Sequence, residues 1–473
     1  MWSGTENLQM RSMLFLALAF SMSLFAADEV GPQVKNDKEK DGKADKAGEK
    51  KDAPAPAGEA NWQKLETKPL ALASPRAVLS AGYFDVGLQK VISFPKDGGA
   101  VDTGLPHAGR DASGKEYPPL KARLHADFIW LDINGDGKPG SDETKRITDG
   151  FSDLFSFDLR YEDGTVAPYA FRFKTVADKE KYAIVRCMAR TAGFQNTKLI
   201  LLDEDGNGRY NDVERDSIIV NDAPPAFLGK YILIGDEFHE ILVHAAGTAI
   251  EIRPAPKFET GWIDMFSEYK VSQKSDSTRI HGVVITGPMG SFSFDERRKA
   301  GKVPAGPYDL TFALFERAKE VVYVKKGEKT TFNVGGTEMA KFKWGGAVTA
   351  KFDFSSDGQE VHVGIPSFVG EGTETYFPEH YRAVSVVANI SQVYVDRMRI
   401  ERFQGFGQKK FELQPDGSIK PVEFRYYRNA NDLYEVAVEY NSGIMGKVIG
   451  KERLQFVFKR KDPKEKDEKK DNK

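Results

Sequence analysis

Leu199-Ile-Leu-Leu202, then Asp203-Glu-Asp205-Gly-Asn207-Gly208-Arg209-Tyr-Asn211-Asp-Val-Glu214, then Ser217-Ile-Ile-Val220 is the stretch that decides the fold. Its two apolar runs are four residues long and rich in branched side chains. Runs that short, closed by turn residues, predict buried strands rather than helices. The acidic turn between them fits D-x-[DN]-x-[DN]-G-x5-E at all twelve positions. A second stretch repeats the arrangement: Phe128-Ile-Trp-Leu131, then Asp132-Ile-Asn134-Gly-Asp136-Gly137-Lys138-Pro-Gly140-Ser-Asp-Glu143.

Calcium is a hard cation that takes six to eight oxygens in a flexible shell. An alternating Asp/Asn loop supplies them if every second side chain turns inward. In the first loop the candidates are Asp132, Asn134, Asp136, the Lys138 carbonyl and Glu143, with water at the position of Gly140. In the second they are Asp203, Asp205, Asn207, the Arg209 carbonyl, Asn211 and Glu214. Gly137 and Gly208 stand where such a loop turns sharply, in a conformation that side chains resist. The competing reading is two Asp/Asn/Gly turns that need no metal. Two complete matches favour calcium at two sites.

Both loops resemble the EF-hand calcium loop, over twenty-four residues. The flanking helices of that family are missing, so the ligand set is what the resemblance implies, without the helix pair or a sensor role. The pattern is more similar to the strand-flanked calcium loops of exported bacterial proteins. Position eight, Pro139 in one loop and Tyr210 in the other, also departs from the family's aliphatic residue.

The flanks of the chain point to export. Residues 12–27 form an apolar run behind Arg11 that closes on small residues, which predicts a signal peptide over 1–27. Met10 is an alternative start. Residues 28–61 and 459–473 are charged and poor in aliphatic side chains, and are expected to be disordered. The net charge is −2, and it falls near −7 once the basic excesses of two in 35–51 and three in 459–473 are removed. An acidic body excludes nucleic acid as the natural partner, and leaves a cell-wall or extracellular polymer as the partner class. No span follows the signal peptide. The single cysteine, Cys187, sits in an apolar run and reads as a core residue, so no disulfide supports the fold.

The body is expected to be mainly β: several antiparallel β-sandwich-like domains with charged tails. Residues 62–254 form the β-rich domain with both loops. Residues 255–348 contain Val303-Pro304-Ala-Gly306-Pro-Tyr308-Asp-Leu310, which resembles the prealbumin-like β-sandwich modules of exported proteins and implies a structural or binding module. Residues 349–458 alternate as in Tyr434-Glu-Val436-Ala-Val438-Glu-Tyr440, and are expected to be an immunoglobulin-like sandwich. Asp97-Gly98 and Asp163-Gly164 predict hairpin turns.

No catalytic residue is assigned. His239-Glu240-Ile-Leu-Val-His244 has one residue more than the zinc-binding H-E-x-x-H helix and a strand-like pattern. Trp262 and Trp344 are candidate sugar platforms. The expected function is an exported calcium-binding structural, adhesion or binding protein of the cell envelope. The alternatives are a secreted calcium-dependent hydrolase and a polysaccharide-binding protein.

Overall fold

The computed structural model describes residues 61–72, 90–109, 114, 116–176, 178–270, 278–318, 320–356, 360–378, 386–395, 401–413, 419–425 and 433–455. The expected signal peptide, the charged tail and all but the last residue of the linker 28–61 lie outside them. Every regular element described is a β-strand, and almost every pairing is antiparallel. The mainly β class expected from the sequence is the class of the fold. The alternation that predicted it acts directly: Tyr434, Val436, Val438 and Tyr440 of Leu433–Ser442 are all buried. Successive side chains of a strand point to opposite faces, so one face packs and the other meets water.

Two large apolar cores organise these strands. The first gathers residues from Leu65 to Ile252. At its centre Phe155 stacks on Phe171 at 5.5 Å, and Phe173 meets both edge-on. The second core gathers residues from Ile263 to Val448, drawing on both segments 255–348 and 349–458. Trp344 lies fully buried in it, with its indole N–H donating to the Met265 carbonyl at 2.7 Å. Each large apolar side chain buried this way contributes about 1.5–3 kcal/mol. Cys187 is buried and free, as its neighbours suggested.

Three sheets surround the first core. One pairs Gln63–Glu66 with Ala249–Pro254, followed by Glu237–Val243 and Tyr231–Ile234. Another runs from Lys68–Ala71 through Met188–Phe194, Thr197–Leu202 and Ser217–Val220 to Ala226–Phe227. The third is built around Val166–Val176 and includes Lys121–His125, Phe128–Leu131 and Thr144–Thr148. Asp163-Gly164 closes the hairpin between Phe155–Arg160 and Val166–Val176, with Gly164 at φ +84°. Gly98 also turns left-handed, but the strands beside it pair elsewhere, so that turn closes no hairpin. The two cores meet where Phe227 packs against Val284, Phe312 and Leu314.

Candidate metal centre

The hairpin of Thr197–Leu202 and Ser217–Val220 ends on the pair Leu202↔Ser217. The next residues outward are Asp203 and Asp216, so strand register alone places two carboxylates face to face. Asp205 completes the group. The three carboxylates lie within 4.8 Å of one another, and all are buried. The loop is held closed by its own backbone. Asp203 Oδ1 accepts the Gly206 N–H at 2.7 Å, and Oδ2 accepts the Gly208 N–H at 2.8 Å and the Tyr169 hydroxyl at 2.6 Å. Asp216 accepts the N–H groups of Glu204 and Asp212. Gly206 has φ +69°, and a Cβ there would stand 2.4 Å from the Ile184 carbonyl oxygen, so both its handedness and its smallness are required.

Burial disfavours charge on all three acids. Asp203 is pushed up to about 8, first by burial and then by the charge of Asp205. Asp205 is raised mainly by burial, and Asp216 well above the usual range by burial and by Asp203. The surrounding charge does not balance. Asp203, Glu204, Asp205 and Asp216 are each 3% exposed or less, as are Arg186 and Arg190, each at 2%. Arg186 pairs with Glu204 at 3.1 Å. With all six ionised, two negative charges remain among these buried groups, and the largely exposed Arg215, 3.6 Å from Asp205, answers only part of them from the solvent side.

The other residues of this loop divide. The Asn207 side-chain oxygen accepts the Arg209 N–H, and its amide donates to Asp205 and Asp212. Arg209 turns its guanidinium away to Glu162 at 2.6 Å. Asn211 and Glu214 are exposed, and Glu214 has φ +64°. The buried acid that joins Asp203 and Asp205 is thus Asp216, two residues beyond the twelfth position. The loop pattern passes over it; the strand pairing of Leu202 with Ser217 is the signal that finds it.

The first loop is built differently. Asn134, Asp136 and Lys138 are exposed and Asp132 is half-buried. Asp132, Asn134 and Asp136 each accept a backbone N–H, from Gly137, Asp136 and Lys138. Glu143 alone is buried, 5% exposed. Its carboxylate accepts the N–H groups of Ile133, Asn134 and Gly140 at 2.9–3.1 Å, and the Trp130 indole at 3.5 Å. Asp132, Asp136 and Glu143 do not form a trio as compact as the one in the second loop. Glu143→Ala should destabilise the protein by about 2–3 kcal/mol, because buried donors lose their acceptor. Denaturant unfolding checks it: equal losses with calcium and with chelator identify Glu143 as a backbone staple, and a loss confined to calcium identifies a metal ligand.

The remaining candidates resolve plainly. His239 lies on the strand Glu237–Val243, buried edge-on against Phe194 at 5.2 Å, and His244 follows that strand and pairs with Glu251 at 3.1 Å. Residues five apart on extended chain point to opposite faces. The two histidines do not share a site. Trp344, fully buried, cannot stack on a sugar, whereas Trp262 is 52% exposed.

No protein-family model matches the chain, and no curated protein matches it. A solved structure described as a DUF3823 family protein from Bacteroides uniformis ATCC 8492 aligns over 43% of this chain and 100% of its own, at 10% identity and a TM-score of 0.14. A likeness at that score carries no argument. The fold and the site define the class: a mainly β protein of antiparallel sheets with a buried three-carboxylate loop.

Proposed function

We propose that this chain is an exported calcium-binding structural, adhesion or binding protein of the cell envelope, in which calcium acts structurally. The observation that carries the reading is the compact buried trio Asp203, Asp205 and Asp216, with buried acids in excess of the buried Arg186 and Arg190. All-oxygen donors without histidine or thiolate favour a hard cation, and a loop of carboxylates, an amide and carbonyls suits the larger, flexible shell of calcium over magnesium. Asp203, Asp205 and Asp216 would hold the ion, with Asn207 and the Arg209 carbonyl within the same loop. Asp132, Asn134, Asp136, the Lys138 carbonyl and Glu143 offer the second position. Bound calcium would tie the strand Thr197–Leu202 to Ser217–Val220, a useful anchor in a chain with one cysteine.

Export rests on the apolar run 12–27, and an extracellular or cell-wall polymer remains the partner class. The polysaccharide-binding alternative keeps one feature, the exposed Trp262. Terbium tests the site directly. It substitutes for calcium, and Tyr169, bonded to Asp203, would sensitise its emission under tyrosine excitation. The expected result is sensitised emission that calcium displaces and that Asp203→Asn removes. Emission absent from the parent protein, or unchanged in the variant, contradicts the site.

A further inference from the structure

Where the two cores meet, a cleft of about 330 Å³ opens between the turn 221–225, the start of the strand Arg279–Gly287, and the turn 295–297. It is separate from both acidic loops. Its lining includes aliphatic side chains: Ile200 and Ile219 from the first lobe, Ile280 from the second, and Pro225. It also carries both signs of charge. Arg279 lines it, and its side chain makes no hydrogen bond or ion pair to a described residue. Arg297 lies across the mouth from Asp222, at a loose 3.5 Å with both side chains largely exposed. Glu296 spends one carboxylate oxygen on the Ile280 N–H at 3.1 Å, and Asp295 spends one on the N–H groups of Arg297 and Arg298. Each acid keeps its second oxygen for a ligand.

The cleft floor is also fixed. The Ser293 hydroxyl donates to the Pro224 carbonyl at 2.7 Å and ties the turn of one lobe to the strand of the other. A pocket of a few hundred Å³ between two lobes is a common place for a small molecule, and the many charged residues lining this one call for a charged ligand. A ligand of one sign would meet like charge here. A neutral apolar ligand would make no use of the two guanidinium groups. The lining matches a molecule that carries both charges at one end and an aliphatic group at the other.

We propose that this cleft binds a small zwitterion of the aliphatic α-amino-acid type. Its carboxylate pairs with Arg279 and Arg297, and displaces Asp222 from its loose contact. Its ammonium meets the free oxygens of Glu296 and Asp222, and its side chain lies on Ile200, Ile219 and Ile280. A planar guanidinium fork recognises a carboxylate through two parallel hydrogen bonds, which is why two arginines rather than lysines matter.

Calorimetric titration of the full chain with L-leucine tests this, with N-acetyl-leucine lacking the ammonium and leucinamide lacking the carboxylate. Saturable binding of leucine is expected, weakened at least tenfold for either analogue. Arg279→Gln should weaken leucine tenfold or more and leave the melting temperature unchanged, since the side chain holds nothing else in the described structure. No saturable leucine binding overturns the proposal. So does equal binding of leucine and N-acetyl-leucine, or leucine binding that Arg279→Gln leaves intact.

Discussion

In Asp203→Asn protein, calcium is expected to leave the melting temperature where it was, while it raises that of the parent. A ligand that binds only the folded state stabilises by RT ln(1 + [L]/Kd), about 1.4 kcal/mol at ten times the dissociation constant. For a cooperative unit of the size of residues 62–254, that is roughly 3–6 °C. Asparagine keeps one oxygen, which can serve the Gly208 N–H and Tyr169 hydroxyl that Oδ2 accepts, but turns its NH2 toward the Gly206 N–H; it also removes the charge that burial and Asp205 oppose. At pH 8 the metal-free variant should melt close to the metal-free parent, because the lost acceptor for Gly206 N–H and the removed buried charge act in opposite directions. Asp203→Ala is the harsher change. It also strands the Tyr169 hydroxyl and the loop N–H groups, and should cost about 1–3 kcal/mol with or without metal. Thermal scans of the three proteins in calcium and in chelator check both statements. An undiminished calcium response in Asp203→Asn removes this loop from the account.

The pH dependence follows from the same burial. A carboxyl whose folded-state pKa is raised favours folding while protonated. Its contribution is complete below the ordinary value of 3.8 and is lost as pH rises through the raised one. For Asp203 that window ends near 8, and Asp205 and Asp216 shift in the same direction. Metal-free protein should therefore lose stability between about pH 5 and pH 8, by an amount on the order of several kcal/mol. On the proposed reading, calcium binding to the ionised trio offsets that loss. The calcium-induced rise in melting temperature should be small at pH 5 and grow steadily to pH 8. Glu162 and Asp163, whose pKa values are lowered by their hydrogen bonds, act only at more acidic pH and do not enter this window. A calcium increment that stays constant or shrinks with rising pH contradicts the assignment.

The strands were legible because period-two alternation and turn chemistry are local. Tyr434 to Tyr440 and the Asp163-Gly164 hairpin can be read without knowing their partners. Asp203 and Asp205 were legible for the same reason, as part of a contiguous loop. Asp216 was not, because its place depends on which residue Ser217 faces across the sheet, and register is a property of two strands. The buried pair Arg186–Glu204 shows the same limit: Arg186 ends the strand Asp178–Arg186, and Glu204 lies eighteen positions on, in the loop after Thr197–Leu202 of another sheet. Trp344 looked like a platform, yet Gly345 beside it lets the backbone approach Lys270 and Tyr269 while the indole turns inward. The common core of residues 263–448 is a long-range outcome that composition does not announce.

The most direct measurement is a calorimetric titration of chelator-treated protein with calcium, run beside magnesium and beside Asp203→Asn. The account predicts a saturable calcium site, much weaker magnesium binding, and loss of that site in the variant. Absence of calcium binding, or a calcium isotherm that Asp203→Asn leaves unchanged, would contradict it.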